Sequence, residues 1–118
     1  MAYFEELSSW SFAKKLTIQV YELMLNNHDY GFREQIQRAT VSIMNNIAEG
    51  SEAGSPQAFV RYLYIAKGSC AEVRSMVYLC KELNYCSEEE YQHLLNECKI
   101  ISAAINNHIK YLRNMTNN

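Results

Sequence analysis

The sequence predicts an all-α protein, an up-and-down antiparallel four-helix bundle that forms a single domain over residues 1–118. Apolar residues recur at the three- and four-residue spacing of helices through four long segments. One proline and four glycines in 118 residues leave little material for a turn-rich β fold. The segments are joined by short polar turns, and helices joined in this way pack as antiparallel neighbours.

The first helix is predicted over residues 9–26, where an apolar stripe follows the helical period. Three aromatic residues, Trp10, Phe12 and Tyr21, lie on different faces of this helix. A helix with aromatic side chains on several faces needs cover on more than one side. We therefore expect part of it to lie in a subunit interface.

The second helix, predicted over residues 32–49, carries an apolar stripe and a polar line at nearly the same spacing. The polar line consists of Gln35, Arg38, Ser42, Asn46 and Glu49. Gly50 follows it, in the position of a left-handed C-cap. Because little ordinary solvent-facing surface remains, this helix is expected to bury more than one face, which favours assembly over catalysis.

Two interpretations of the polar line remain open. It could bind a partner or an RNA backbone, or it could form a paired polar seam between the second and third helices. In the second interpretation Arg38 pairs with Glu72, and Asn46 and Glu49 form hydrogen bonds across the bundle or to loop backbone. We favour this seam because buried polar groups need partners, and because no nucleophile, metal-ligand set or phosphate-binding loop accompanies the line.

The third helix is predicted over residues 56–83, with Ser55 as its N-cap and Pro56 at the first helical position. Small residues cluster in its middle, among them Gly68. Glycine costs about 1 kcal/mol relative to alanine inside a helix. A close crossing with another helix at this point would compensate for that cost.

A stripe on the outer face of the third helix is the candidate contact surface. It consists of Tyr64, Lys67, Ala71, Arg74, Tyr78 and Lys81. Cations interleaved with aromatic residues suit phosphate contact and base stacking. The alternative is an ordinary solvated face, on which long side chains cover apolar surface.

The fourth helix is predicted over residues 88–113, and it begins at a capping box formed by Ser87 and Glu90. The spacing of Glu90 and His93 resembles half of a di-iron carboxylate site, which needs a second such motif and two further carboxylates. The second half is missing from the sequence. A small metal-dependent enzyme is therefore the weakest alternative, and no metal, cofactor or small-molecule substrate is expected.

Composition limits the class of protein further. Eleven lysines and arginines against thirteen aspartates and glutamates give a net charge of -2, without the basic excess of a protein that binds nucleic acid by electrostatics alone. Any RNA binding would need a local patch. No apolar run approaches the roughly 20 residues of a membrane span, and no secretion signal pattern opens the chain. These features predict a cytoplasmic protein without a membrane partner.

The four cysteines, Cys70, Cys80, Cys86 and Cys98, lack the paired spacing of a zinc site. Three of them, Cys70, Cys80 and Cys98, fall on apolar helical stripes, where cysteine behaves as a small core residue. Free thiols are therefore expected.

Three groups of residues resemble the signature of a known family. They are residues 35–39, 42–43 and 46–50 of the second helix, Phe59, Leu63, 65–69 and Glu72 of the third, and the turn at 83–85. Together they resemble the bacterial four-helix bundle proteins encoded within intervening sequences of 23S ribosomal RNA genes. The superfamily includes Avd, the accessory protein of diversity-generating retroelements. The resemblance covers residues 7–112, and its most specific part is the run from Asn46 to Gly50.

The resemblance implies a homopentamer of four-helix bundles arranged as a barrel, and no enzymatic activity. For Avd-like members it implies binding to a reverse transcriptase and to RNA. This chain is mildly acidic, whereas Avd proteins are basic, and it lacks a proline that many relatives carry before the second helix. The expected function is a non-enzymatic homo-oligomeric scaffold with an RNA or RNA-handling partner. An Avd-type accessory subunit is the alternative.

Overall fold

The structure, a computed structural model, describes residues 3–116. A short 3-10 turn at Phe4–Glu6 precedes four helices, which are α1 (Ser8–Met24), α2 (Tyr30–Ser51), α3 (Pro56–Glu82) and α4 (Glu88–Thr116). No strand occurs within these residues. The domain bounds predicted at residues 1 and 118 lie outside the described part of the chain.

The helices form an elongated four-helix bundle of 49 × 20 × 20 Å. Each helix packs against the next one in the chain, and α1 closes the bundle against α4. This neighbour order is that of an up-and-down bundle, as predicted. None of the helices between residues 3 and 116 combines the length and the apolar character that crossing a membrane requires.

The core runs along the bundle axis and is built from the apolar stripes of all four helices. Its largest fully buried side chains include Leu16, Met24, Ile36, Ile43, Ile47, Leu63, Ile101 and Ile105. Cys70, Cys80 and Cys98 are buried free thiols, as predicted, and Cys86 is half-buried. Burial raises the pKa of the Cys80 thiol to about 12, so this thiol stays protonated at neutral pH.

Side-chain caps begin three of the helices. Asp29 Oδ1 accepts from the backbone N–H of Phe32 at 3.2 Å at the start of α2. Ser55 Oγ accepts from the N–H of Ala58 at 3.2 Å at the start of α3. At the start of α4, the N–H of Ser87 donates to Glu90 Oε1 at 2.8 Å. The N–H of Glu90 in turn donates to Ser87 Oγ at 3.0 Å. This reciprocal pair is the predicted capping box.

Gly50 is not the C-cap that the sequence predicts. It lies buried inside α2, which continues to Ser51. A Cβ atom at Gly50 would lie 2.7 Å from Tyr62 Cβ and 2.8 Å from Phe59 Cδ1. The lack of a side chain here permits the close approach of α2 and α3, so the prediction was right about a special position and wrong about its cause.

The close crossing considered at Gly68 is not present within the described part of the chain. Gly68 is exposed, and a Cβ atom there would meet nothing within 4 Å. The small residue therefore faces open space, and the packing of this chain does not compensate for its cost in the helix.

The left-handed position at the end of α3 is taken by Asn84, whose φ is 60°. The N–H of Tyr85 donates to the carbonyl of Cys80 at 2.8 Å, and the N–H of Asn84 donates to that of Lys81 at 3.0 Å. These two bonds form a Schellman motif. Asparagine adopts a positive φ more readily than most residues, which explains how the turn forms without glycine.

Candidate functional site

An open groove of about 490 Å³ lies between α2 and α3. We call it the α2–α3 groove, and it is lined by Gly31, Glu34, Gln35, Arg38, Ala39, Ser42, Ser69 and Glu72. The structure thus brings three members of the predicted polar line, Gln35, Arg38 and Ser42, together with Glu72. Asn46 lies half-buried beside Ser42, and Glu49 lies outside the groove on the exposed face of α2.

Two hydrogen bonds join α2 to α3 across the groove. The amide nitrogen of Gln35 donates to Glu72 Oε2 at 3.2 Å. The hydroxyls of Ser42 and Ser69 lie 2.8 Å apart and share a hydrogen bond. Part of the polar line therefore ties the two helices together, which agrees with the seam interpretation.

Three details of the predicted seam are wrong. Within residues 3–116, Arg38 forms no ion pair with Glu72, because Gln35 reaches that carboxylate instead. Asn46 donates to the carbonyl of Ser42 at 2.8 Å and to its hydroxyl at 3.1 Å, so it bonds along its own helix instead of across the bundle. The Glu49 side chain is exposed and makes no hydrogen bond to the described residues. The guanidinium of Arg38 is consequently available in an open groove.

The predicted stripe on α3 runs along its boundary with α4. Tyr64, Arg74, Tyr78 and Lys81 are exposed, and Lys67 is half-buried. The rings of Tyr78 on α3 and Tyr91 on α4 meet edge to face, with their centroids 6.0 Å apart. The stripe is therefore one side of a surface to which both helices contribute.

Two residues of α4 that the sequence analysis did not assign to this surface complete it. The guanidinium carbon of Arg113 lies 5.2 Å from the ring centroid of Tyr64. The amino group of Lys67 lies 5.9 Å from the same centroid. The amino group of Lys81 lies 4.4 Å from the ring centroid of Tyr91. We call the whole set the α3–α4 seam, which comprises Tyr64, Lys67, Arg74, Tyr78, Lys81, Tyr91 and Arg113.

The cations of the α3–α4 seam are not equivalent. Lys81 Nζ lies 3.1 Å from Glu88 Oε2, and this hydrogen bond raises the pKa of Lys81. The pKa of Glu88 is lowered by hydrogen bonds from Gln92 and then from Lys81. Because the charge of Lys81 is balanced by Glu88, the positive charge that the α3 side of the seam offers a ligand comes chiefly from Lys67 and Arg74.

The candidate half-site for iron does not face the bundle core. Glu90 and His93 are both exposed, and Glu90 serves in the capping box. The amide nitrogen of Gln19 donates to His93 Nε2 at 3.0 Å, which ties His93 to α1. Between residues 3 and 116, no group of three or more histidine, cysteine or acidic side chains could hold a metal ion.

A second pocket, of about 430 Å³, lies at the end of the bundle where α3 begins and α4 ends. Its wall includes Phe59 and His108, whose rings meet edge to face with their centroids 4.6 Å apart. Burial lowers the pKa of His108. The sequence analysis gave His108 no role, because only the packing of α3 against α4 brings it to Phe59.

Comparison with known proteins identifies the family. The family model described as 23S rRNA-intervening sequence protein matches residues 5–107. A crystal structure from Bacteroides thetaiotaomicron is similar to the fold with a TM-score of 0.80 and 24% sequence identity, over 86% of this chain and 98% of that chain. That protein is described as one of unknown function from the S23 ribosomal protein family. No curated protein sequence matches. The resemblance recognised in the sequence is confirmed: this chain belongs to the family of 23S rRNA intervening-sequence proteins.

Proposed function

We propose that this protein is a cytoplasmic, non-enzymatic homopentameric scaffold that contacts RNA through its α3–α4 seam. The observation that carries the proposal is the alternation of cations and aromatic rings along one boundary between two helices, where Tyr64, Arg74 and Tyr78 are exposed and Lys67 is half-buried. Aromatic rings offer stacking surfaces to unpaired bases, and neighbouring cations contact the phosphates between them. The number of subunits follows from the resemblance to the barrel-forming bundles.

Exposed apolar side chains support the assembly. Ile18, Tyr21 and Leu25 are large apolar residues of the first helical hairpin that remain exposed. A soluble chain that exposes several such side chains on one helix face has a surface suited to a protein contact. Repetition of the seam in an oligomer would present several local positive patches to one RNA, although each copy also brings its net charge of -2.

Substitution of the two unbalanced cations on α3 tests the RNA contact. The variant Lys67→Gln/Arg74→Gln should bind a fluorescein-labelled single-stranded RNA at least about tenfold more weakly than the wild type, because two phosphate contacts are lost. The slope of log affinity against log salt should fall by roughly one for each contact removed. Fluorescence anisotropy across a salt series measures both quantities.

The matched control is Lys15→Gln/Arg33→Gln, which removes the same charge from α1 and α2, the two helices that take no part in the seam. It should retain affinity within about twofold, apart from the general effect of net charge. A wild-type protein that binds no RNA would overturn the proposed contact. So would an equal loss of affinity in both variants, because the net charge and not the seam would then set binding.

A further inference from the structure

We propose that copies of this chain assemble head to tail, with α1 of one copy seated in the α2–α3 groove of the next. The proposal rests on the homo-oligomeric function proposed above, and it names the two surfaces that meet. The ridge that would enter the groove consists of Lys14, Ile18, Tyr21 and Leu25, and we call it the α1 ridge.

The α1 ridge is a largely apolar face that stays exposed in the part of the chain that the structure describes. Its members are spaced by four, three and four residues, which places them along one side of the helix. The exposed fractions of Ile18, Tyr21 and Leu25 are 49%, 45% and 66%. A neighbouring face of α1 supplies its core side chains, among them Leu16, Val20 and Met24. Anchors at this spacing are those of a helix that binds in a groove.

The α2–α3 groove has the matching distribution of polar and apolar groups. Its lining is mostly polar, and α3 contributes Ser69 and Glu72 to it. Ile65 and Leu79 lie seven residues to either side of Glu72, on the same face of α3, with exposed fractions of 53% and 46%. They are about 21 Å apart along the helix axis, and the α1 ridge is about 16 Å long from Lys14 to Leu25. The ridge therefore fits between or against these two apolar positions.

Charge favours this pairing over contact between two α1 ridges. The groove is lined by two carboxylates, Glu34 and Glu72, and one guanidinium, Arg38, so its net charge is negative. The charged residues of α1 are Lys14, Lys15 and Glu22, so its net charge is positive. Two α1 helices face to face would bring like net charges together, whereas a ridge in a groove brings opposite charges together.

The two surfaces also lie on different parts of the molecule. The α1 helix does not pack against α3, which forms one wall of the groove. A contact between two different surfaces leaves each copy with one unused ridge and one unused groove. Such heterologous contacts repeat, and they close into a ring when the rotation between neighbours allows it. The α3–α4 seam takes no part in the contact.

A mixing experiment with two variants tests the proposal. The ridge variant is Tyr21→Glu/Leu25→Glu, and the groove variant is Ile65→Lys/Glu72→Lys. All four positions are exposed, so each variant should keep its fold, which circular dichroism and thermal unfolding check. The wild type should be an oligomer by light scattering behind size exclusion, and each variant alone should have the 13.7 kDa mass of one chain.

An equimolar mixture of the two variants should form a dimer of twice the 13.7 kDa chain mass, and nothing larger. The groove variant still has an intact ridge, which can enter the intact groove of the ridge variant. The remaining ridge and groove of that pair are both damaged, so growth stops at two chains. The control Ile100→Glu/Tyr111→Glu makes the same kind of change at exposed positions of α4, and it should keep the wild-type mass.

The possible failures are distinguishable. A monomeric wild type would overturn the proposed scaffold and this interface with it. An oligomeric wild type whose ridge variant or groove variant keeps the full mass would overturn the interface alone and leave the scaffold standing. Two monomeric variants that stay monomeric when mixed would also overturn it, because ridge and groove would then not bind each other.

Discussion

Gly50 shows how a single missing side chain can set the distance between two helices. The aromatic residues Phe59 and Tyr62 of α3 occupy the space into which a Cβ atom at Gly50 would project. The variant Gly50→Ala should lower the free energy of unfolding by about 1–3 kcal/mol, because α2 and α3 would have to move apart. Urea unfolding followed by circular dichroism measures the change.

Gly68 offers the matched control within the same bundle. A Cβ atom there meets open space, so Gly68→Ala should raise the free energy of unfolding by roughly 0.5–1 kcal/mol through the better helix propensity of alanine. The two substitutions should therefore change the free energy of unfolding in opposite directions, because the packing around the two glycines differs. If Gly50→Ala proved as stabilising as Gly68→Ala, the close approach of the two helices at Gly50 would be contradicted.

His108 links protonation to stability. Burial lowers its pKa in the folded chain below the usual value, so the unfolded chain binds a proton at a higher pH than the folded chain does. The stability that comes from a neutral His108 is complete above about pH 6.5 and is lost as the pH falls toward the folded-state pKa. The wild type should therefore be less stable to urea at pH 5 than at pH 7.

The variant His108→Phe keeps a ring beside Phe59 but cannot take up a proton. It should show a smaller difference in urea midpoint between these two pH values than the wild type does. The exposed His28 provides the comparison, since His28→Phe should keep the wild-type difference. An unchanged pH dependence in His108→Phe would mean that other groups cause it.

At the scale of the helices, the capping box fixes where α4 begins. Ser87 and Glu90 satisfy each other's backbone N–H groups at 3.0 and 2.8 Å. Ser87→Ala removes one of these acceptors and should lower the free energy of unfolding by about 1 kcal/mol. The control is Ser75→Ala, at an exposed position in α3. Thermal unfolding compares the stability of the two variants. A cost at Ser75 equal to that at Ser87 would argue against a specific capping effect.

The helices could be predicted from the sequence because their signals are local. Apolar periodicity located all four, and the caps at Ser55 and Ser87 gave two of their starting points within a residue or two. Gly50 and Asn84 could not be interpreted in the same way. A glycine before a polar loop has the pattern of a C-cap, and only the packed position of Phe59 shows that it is a contact point.

The pairing of the polar line with α3 could not be predicted from the sequence of α2 alone. Its period correctly placed Gln35 and Ser42 on the side of α2 that faces α3. Whether Gln35 or Arg38 reaches Glu72 depends on how far α2 is shifted along α3, and a shift of one turn exchanges the two. The predicted ion pair failed for this reason, although the partner helix was right.

At the scale of the molecule, only the α3 side of the candidate contact surface could be predicted from the sequence. The members on α3 share a stripe that helical spacing reveals, but Tyr91 and Arg113 are added only when α4 packs beside it. The same packing brings Glu88 to within 3.1 Å of Lys81, and its carboxylate partly balances that lysine's charge. The composition of the whole chain therefore says little about the charge that a ligand meets at the seam.

The separation of the seam from the α1 ridge and the α2–α3 groove has a consequence for affinity. In the proposed ring, every copy would present its own seam, and one RNA strand would be able to span several of them. The second and later contacts are then intramolecular, and avidity can exceed the affinity of a single seam by about 10²–10⁴ without any new contact. A mildly acidic chain with a weak local site can in this way act as a multivalent binder of long strands while leaving short ones unbound.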